Sequence, residues 1–167
     1  MTASHGHGST PEPHSAESLS GALARAEDLC RKVGVKLTAS RRLVFEILAA
    51  EGRPLGAYDL IEKVAQATDK RPAPISIYRA LDFLLENGLI HRLASRNAYL
   101  ACGHGHALRE PVVFLICDRC GEVVEATSDA LLKDVAALAD RAKFTPHVQV
   151  LEIAGRCRQC HDTPPQA

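Results

Sequence analysis

Two cysteine pairs, Cys117/Cys120 and Cys157/Cys160, constrain this chain more than anything else in its 167 residues. Two residues separate the thiols of each pair, so one tight turn can present both sulfurs to a single cation. Two such turns complete a tetrahedral site, a geometry that Zn2+ accepts with no electronic preference of its own. Gly121 follows the first pair, where a knuckle turn needs a permissive backbone. The 36 residues between the pairs can return the second turn to the first through a strand, a helix and another strand. Four protein ligands leave no open position for a substrate, so this zinc is expected to staple a small domain, not to catalyse. A redox role is the competing reading of a lone CxxC, but neither pair has a thioredoxin-like context.

The compartment supports metal over disulfides. The first twenty residues hold no Lys or Arg and no apolar stretch, so no secretory signal is read there. The longest apolar run, Val112 to Cys117, falls far short of the roughly 20 residues that span a bilayer. A cytoplasmic protein without a membrane partner is expected, and reducing conditions there disfavour structural disulfides.

Helical periodicity dominates the first half. Leu19, Leu23, Ala26, Leu29, Cys30 and Val33 predict a helix over 18–33, closed by Gly34. Thr38 or Ser40 can start a second helix, with Leu43, Val44, Ile47 and Leu48 inward, ended by Gly52 and Pro54. A third is expected from Ala57 to Ala67. After Pro72 and Pro74, Ser76 is expected to cap a fourth over Ile77–Asn87. Leu89–Leu93 and Asn97–Leu100 then alternate around a turn at Ser95-Arg96-Asn97, a two-stranded hairpin. Helices followed by a hairpin is the order of a winged helix-turn-helix.

The second half reads β-β-α-β. Strands are expected at Pro111–Ile116, Glu122–Ala126 and Val148–Ile153, and a helix at Ser128–Arg141 with the stripe Leu131, Leu132, Val135, Leu138 and Ala139. The fold class is α+β: an N-terminal winged helix-turn-helix domain and a C-terminal small α/β domain. Residues 1–17 lack the apolar groups that offset ordering entropy and are expected to be a disordered arm. The winged domain is expected over 18–100, the α/β domain over 101–161, and a frayed tail over 162–167.

The net charge of zero does not exclude nucleic acid. Residues 21–98 carry 13 bases and 9 acids, net +4, while residues 99–167 carry 7 bases and 9 acids, net −2. Affinity for nucleic acid depends on where positive charge sits.

A second group of ligand-type residues lies at the join of the halves: His91, Cys102, His104, His106, Glu110 and Glu125. Imidazole, thiolate and carboxylate together suit zinc. Singly, His91 reads as a satisfied histidine, Cys102 as a small buried hydrophobe and Glu125 as a solvated strand residue.

Ile77-Tyr78-Arg79-Ala80-Leu81-Asp82-Phe83-Leu84 followed by Gly88-Leu89-Ile90-His91 resembles the recognition helix and wing of the ferric uptake regulator family. Leu37-Thr38 before Arg41-Arg42, Ala57-Tyr58-Asp59-Leu60 and Ile116-Cys117-Asp118-Arg119-Cys120-Gly121 extend the resemblance over about residues 20 to 160. Tyr99-Leu100-Ala101-Cys102 and the Cys-Asp-Arg-Cys-Gly knuckle are most similar to its zinc uptake regulator branch. Val112–Ile116 holds no ligand where the iron and peroxide sensors carry a histidine-rich run.

The resemblance implies a homodimer held by the C-terminal domain. It implies a second, regulatory zinc on residues matching His91, Cys102, a loop histidine and Glu125. The branch places that histidine seven residues before the knuckle, where this chain has Glu110. His106 is the expected third ligand, with His104 or Glu110 as substitutes. Two zinc ions per chain follow. The function implied is a transcriptional repressor, not an enzyme, that binds a palindromic operator in double-stranded DNA when zinc fills the regulatory site, and represses zinc-uptake genes. The recognition helix of such folds presents its N-terminal side chains to base edges. Arg79 can read guanine bidentately, with Tyr78 beside the backbone or thymine methyls. The resemblance adds Tyr58. Lys36, Arg41, Arg42, Lys70, Arg71 and Arg96 are candidates for phosphate contacts. The competing readings are an iron or peroxide sensor of the same family, a zinc enzyme, and a zinc-binding protein without DNA function. No HExxH motif supports the enzyme.

Overall fold

The computed structural model describes residues 19–103, 112–126, 128–146 and 150–161. The first half packs α1 (Leu19–Lys32), α2 (Ala39–Glu51), α3 (Ala57–Thr68) and α4 (Pro74–Glu86) around one apolar core. Val44, Phe45, Leu48, Leu60, Ile77, Leu81 and Leu84 fill it from helical spacing. Thr38 is the N-cap of α2, and Gly52, at φ 63°, takes the left-handed conformation that ends it.

Two local expectations are corrected. Ser76 is not the cap of α4. The helix begins three residues earlier, capped by Ala73 and with Pro74 in its first turn, where a missing N–H costs nothing and the ring fixes a helical φ. The segment after Gly52 holds a two-residue strand, β1 (Leu55–Gly56), which pairs antiparallel with β3 (Ala98–Ala101). Its partner strand β2 (Ile90–Leu93) completes a sheet of order β1-β3-β2, and a 3-10 turn at Ala94–Arg96 joins β2 to β3.

The second half is a sheet of order β5-β4-β6, built from β4 (Val112–Cys117), β5 (Val123–Ala126) and β6 (Val150–Gly155). β4 pairs antiparallel with β5 and parallel with β6, and α5 (Asp129–Arg141) supplies the crossover between β5 and β6. A short α6 (Arg158–His161) follows.

The β2–β3 hairpin is a middle layer. Tyr99 and Ile90 belong to the helical core, whereas Leu93 and Leu100 pack with Val112, Phe114, Ile116 and Val123 of the second sheet. Neighbours Tyr99 and Leu100 point to opposite faces because side chains alternate along a strand. The hairpin is therefore buried on both sides and mechanically joins the halves. The expected helix with its apolar stripe forms as α5. Ser128 caps it at the Leu131 amide, but none of its residues is buried within the chain, and Leu138 is 59% exposed. The arm at 1–17 and the tail at 162–167 fall outside the described residues.

Candidate metal centre

The parallel pairing of β4 and β6 explains how a long connection closes the four-cysteine cluster. Cys117 ends β4 in register with Gly155 at the end of β6, so Cys157 emerges beside it. The Asp118 N–H donates to the Gly155 carbonyl at 2.8 Å and stitches the first knuckle to β6. Gly121, at φ 77°, turns the knuckle, and its N–H donates to the Cys117 carbonyl at 3.1 Å. Cys160 sits on α6. The ligand atoms of Cys117, Cys120, Cys157 and Cys160 all lie within 4.8 Å of one another. Cys120 Sγ and Cys157 Sγ are 3.6 Å apart, near the roughly 3.8 Å edge of a tetrahedron with zinc–sulfur bonds of about 2.3 Å.

The thiols are electrostatically unequal. N–H groups of Cys120 and then Cys157 hold the Cys117 thiol down at about 6. A side-chain hydrogen bond with Glu122, then burial, pushes Cys157 up to about 12. Burial raises Cys160 as well. So crowded a set carries its full negative charge only around a cation, and the donor set fits zinc.

The second cluster joins the halves. His91 lies on β2, Cys102 directly follows β3, and Glu125 lies on β5. Their ligand atoms also lie within 4.8 Å of one another, and His91 Nε2 is 3.9 Å from Glu125 Oε1. Among the described residues Glu125 is the one buried charged side chain, 4% exposed. A buried carboxylate needs a positive or strongly donating partner. A divalent cation supplies one, and imidazole, thiolate and carboxylate suit zinc. The Phe114 ring meets the His91 ring edge-on at 5.2 Å and fixes its orientation. Arg25 of α1 donates to the Cys102 carbonyl at 3.1 Å, and the Gly103 N–H to Glu125 Oε2 at 3.4 Å. His106, His104 and Glu110, the expected third ligand and its substitutes, lie outside the described residues.

Of the candidates for nucleic acid, Tyr78 and Arg79 are exposed near the start of α4, and Tyr58 is exposed at the start of α3. Lys36, Lys70 and Arg71 are exposed too. Three arginines have structural partners. Arg41 stacks 3.6 Å over the Phe83 ring and donates to the Lys36 carbonyl. Arg42 pairs with Glu46 and Glu27. Arg96 donates to the Cys117 carbonyl at 2.9 Å. Phe114, Arg25 and Glu152 were not singled out from sequence. Their periodicity is that of ordinary core and surface positions, and only the fold brings them to the hairpin.

A match to the model of the ferric uptake regulator family covers residues 32–154. The chain belongs to this family. It is 35% identical over 141 residues to the zinc uptake regulation protein of Escherichia coli (strain K12), a match spanning 83% of this chain and 80% of that relative. A family structure described as a zinc uptake regulator complexed with zinc and DNA superposes with a TM-score of 0.80 at 32% identity, covering 86% of this chain and 95% of that one. XcZur is similar in two forms. The holo form gives a TM-score of 0.79 at 38% identity over 87% of this chain and all of its own. The apo form gives 0.50 at 36% identity, over 85% and 97%. The chain superposes more closely on the holo form than on the apo form. Among the described residues no helix is long and apolar enough to cross a membrane.

Proposed function

We propose that this protein is a zinc-responsive transcriptional repressor that binds operator DNA as a homodimer and represses zinc-uptake genes from the cytoplasm. One observation carries the reading: His91 of the hairpin and Glu125 of the second sheet converge with Cys102 at ligand distance. His91, Cys102, Glu125 and His106 would hold the regulatory ion, and Cys117, Cys120, Cys157 and Cys160 the structural one, two zinc ions per chain. The regulatory ion supplies a shared positive charge to ligands from both halves. The winged domain is assigned to residues 18–100 and the dimerisation domain to 101–161.

The chain's own residues do the rest. Arg79 and Tyr78 meet base edges while Tyr58, Lys36, Lys70 and Arg71 steady the phosphates. The uncovered apolar face of α5 and β6, with Leu138 and Ile153 exposed, supports a dimer. Two winged halves set at a fixed separation can match successive half-sites. Ligands shared across the join bind one arrangement better than others, and a few kcal/mol of such difference moves most of the population.

The test is metal content together with DNA affinity. Wild type should hold two zinc ions per chain. Cys102→Ser should hold one, stay folded and lose operator affinity by at least about tenfold in limiting zinc. Tight operator binding by Cys102→Ser under that condition would remove the regulatory site from the mechanism.

A further inference from the structure

The second sheet carries a row of three side chains beneath the hairpin. In register across it lie Glu125 on β5, Phe114 on β4 and Glu152 on β6. Paired residues of adjacent strands point to the same face, here toward the hairpin. Glu125 meets the base of the hairpin at His91 and Cys102, and Phe114 packs against the His91 ring and with Leu93 and Leu100. Glu152 meets the tip. Its Oε1 accepts from the Ala94 N–H at 2.7 Å, and its Oε2 accepts from the Ser95 N–H at 3.1 Å and from the Ser95 hydroxyl. Burial opposes the charge on Glu152, but these donors bring its carboxyl below the ordinary carboxylate range.

The next residue of the tip grips the same half from the other side. Arg96 donates to the carbonyl of Cys117, and its guanidinium lies over the knuckle at Gly121. The hairpin turn is thus engaged by β6 and by the four-cysteine knuckle. Its N–H groups at Ala94 and Ser95 are occupied by protein, which removes them from phosphate binding.

We infer that Glu152 is a positioning residue: it latches the hairpin tip to the second sheet without contacting the regulatory metal, so that a larger fraction of molecules hold His91 and Cys102 near Glu125 before zinc arrives. This inference rests on the regulatory site proposed above. A ligand's apparent affinity is reduced by the fraction of protein not in the binding-competent arrangement. The latch raises the competent fraction, so it lowers the free zinc at which the protein responds. Glu152 touches neither the metal ligands nor the recognition helix, so its loss alters the threshold without altering the saturated state.

The experiment uses full-length protein, Glu152→Ala and the milder Ser95→Ala, titrated with Zn2+ against a chromophoric chelator. Hydrogen exchange of the hairpin amides is read in parallel. Glu152→Ala should keep one tightly bound zinc per chain at the four cysteines. It should need about three- to tenfold more free zinc to half-fill the second site, and the Ala94 and Ser95 amides should exchange faster. Ser95→Ala, which leaves the backbone bonds in place, should shift the same way by less. A second-site titration that superposes on wild type while those amides are deprotected would overturn the inference. If Glu152→Ala also loses the four-cysteine zinc, Ser95→Ala decides by the same criterion. If wild type itself takes up only one zinc, the regulatory-site reading fails separately. The latch then stands on faster exchange at Ala94 and Ser95 in Glu152→Ala and falls with unchanged exchange.

Discussion

The four cysteines differ in what each must give up to bind a metal. Cys117, at about 6, is already a thiolate at pH 7, whereas Cys157, at about 12, and Cys160, raised by burial, keep their protons. A ligand's proton must leave before zinc binds. Near neutrality zinc uptake should therefore release protons from Cys157 and Cys160, and affinity should fall by about a hundredfold per unit of falling pH from these two alone. Below about pH 6 Cys117 is protonated too, and the slope should steepen by about tenfold per unit. Chelator competition on Cys102→Ser, which lacks the second site, measures this between about pH 5 and 7.5. A slope that stays constant through pH 6 would show that the N–H groups of Cys120 and Cys157 do not hold Cys117 in its thiolate form. The clustering of the two pairs was legible because their spacing encodes a turn. Their inequality was not, because it arises from how the fold places the N–H groups of Cys120 and Cys157 at Cys117, and Glu122 together with burial at Cys157.

At the scale of elements, α5 separates what a pattern can say from what it cannot. Leu131, Leu132, Val135, Leu138 and Ala139 specify a helix with one apolar face, and the helix formed there. The same pattern serves a core or an interface, so burial within the chain did not follow from it. Leu138→Asp places a charge on that face at a position 59% exposed in the single chain. It should leave the four-cysteine zinc and the helical content intact while weakening dimerisation by at least about tenfold, as expected for desolvating an unpaired charge. Sedimentation velocity across a dilution series reads this directly, and an unchanged dimer would move the interface elsewhere. Other elements were misread for local reasons. Pro74 reads as a breaker, yet it begins α4 because a proline in the first turn costs no hydrogen bond. The strand Leu55–Gly56 is too short to alternate and exists only through its pairing with Tyr99 and Ala98. The hairpin was legible from its alternation, but its place between two cores was not, since both faces of β3 are apolar.

At the scale of the whole molecule, the neutral total conceals a basic half, +4 over residues 21–98, set against −2 over residues 99–167 and −2 over residues 1–20. Bulk charge alone then gives weak, salt-sensitive attraction to DNA, and specific binding depends on holding two readers at the right separation. On the proposed reading the join sets that separation, because the hairpin touches both cores and carries His91 between them. The four cysteines lie within one half, so an ion bound there should not alter that geometry. Small-angle scattering of wild type loaded with one zinc per chain should therefore change when a second equivalent is added. No such change should follow in Cys102→Ser. Operator affinity in wild type should rise over the same interval of added zinc. Superposable scattering curves at one and two equivalents, with DNA affinity still rising, would mean that zinc acts by stiffening the join instead of moving it.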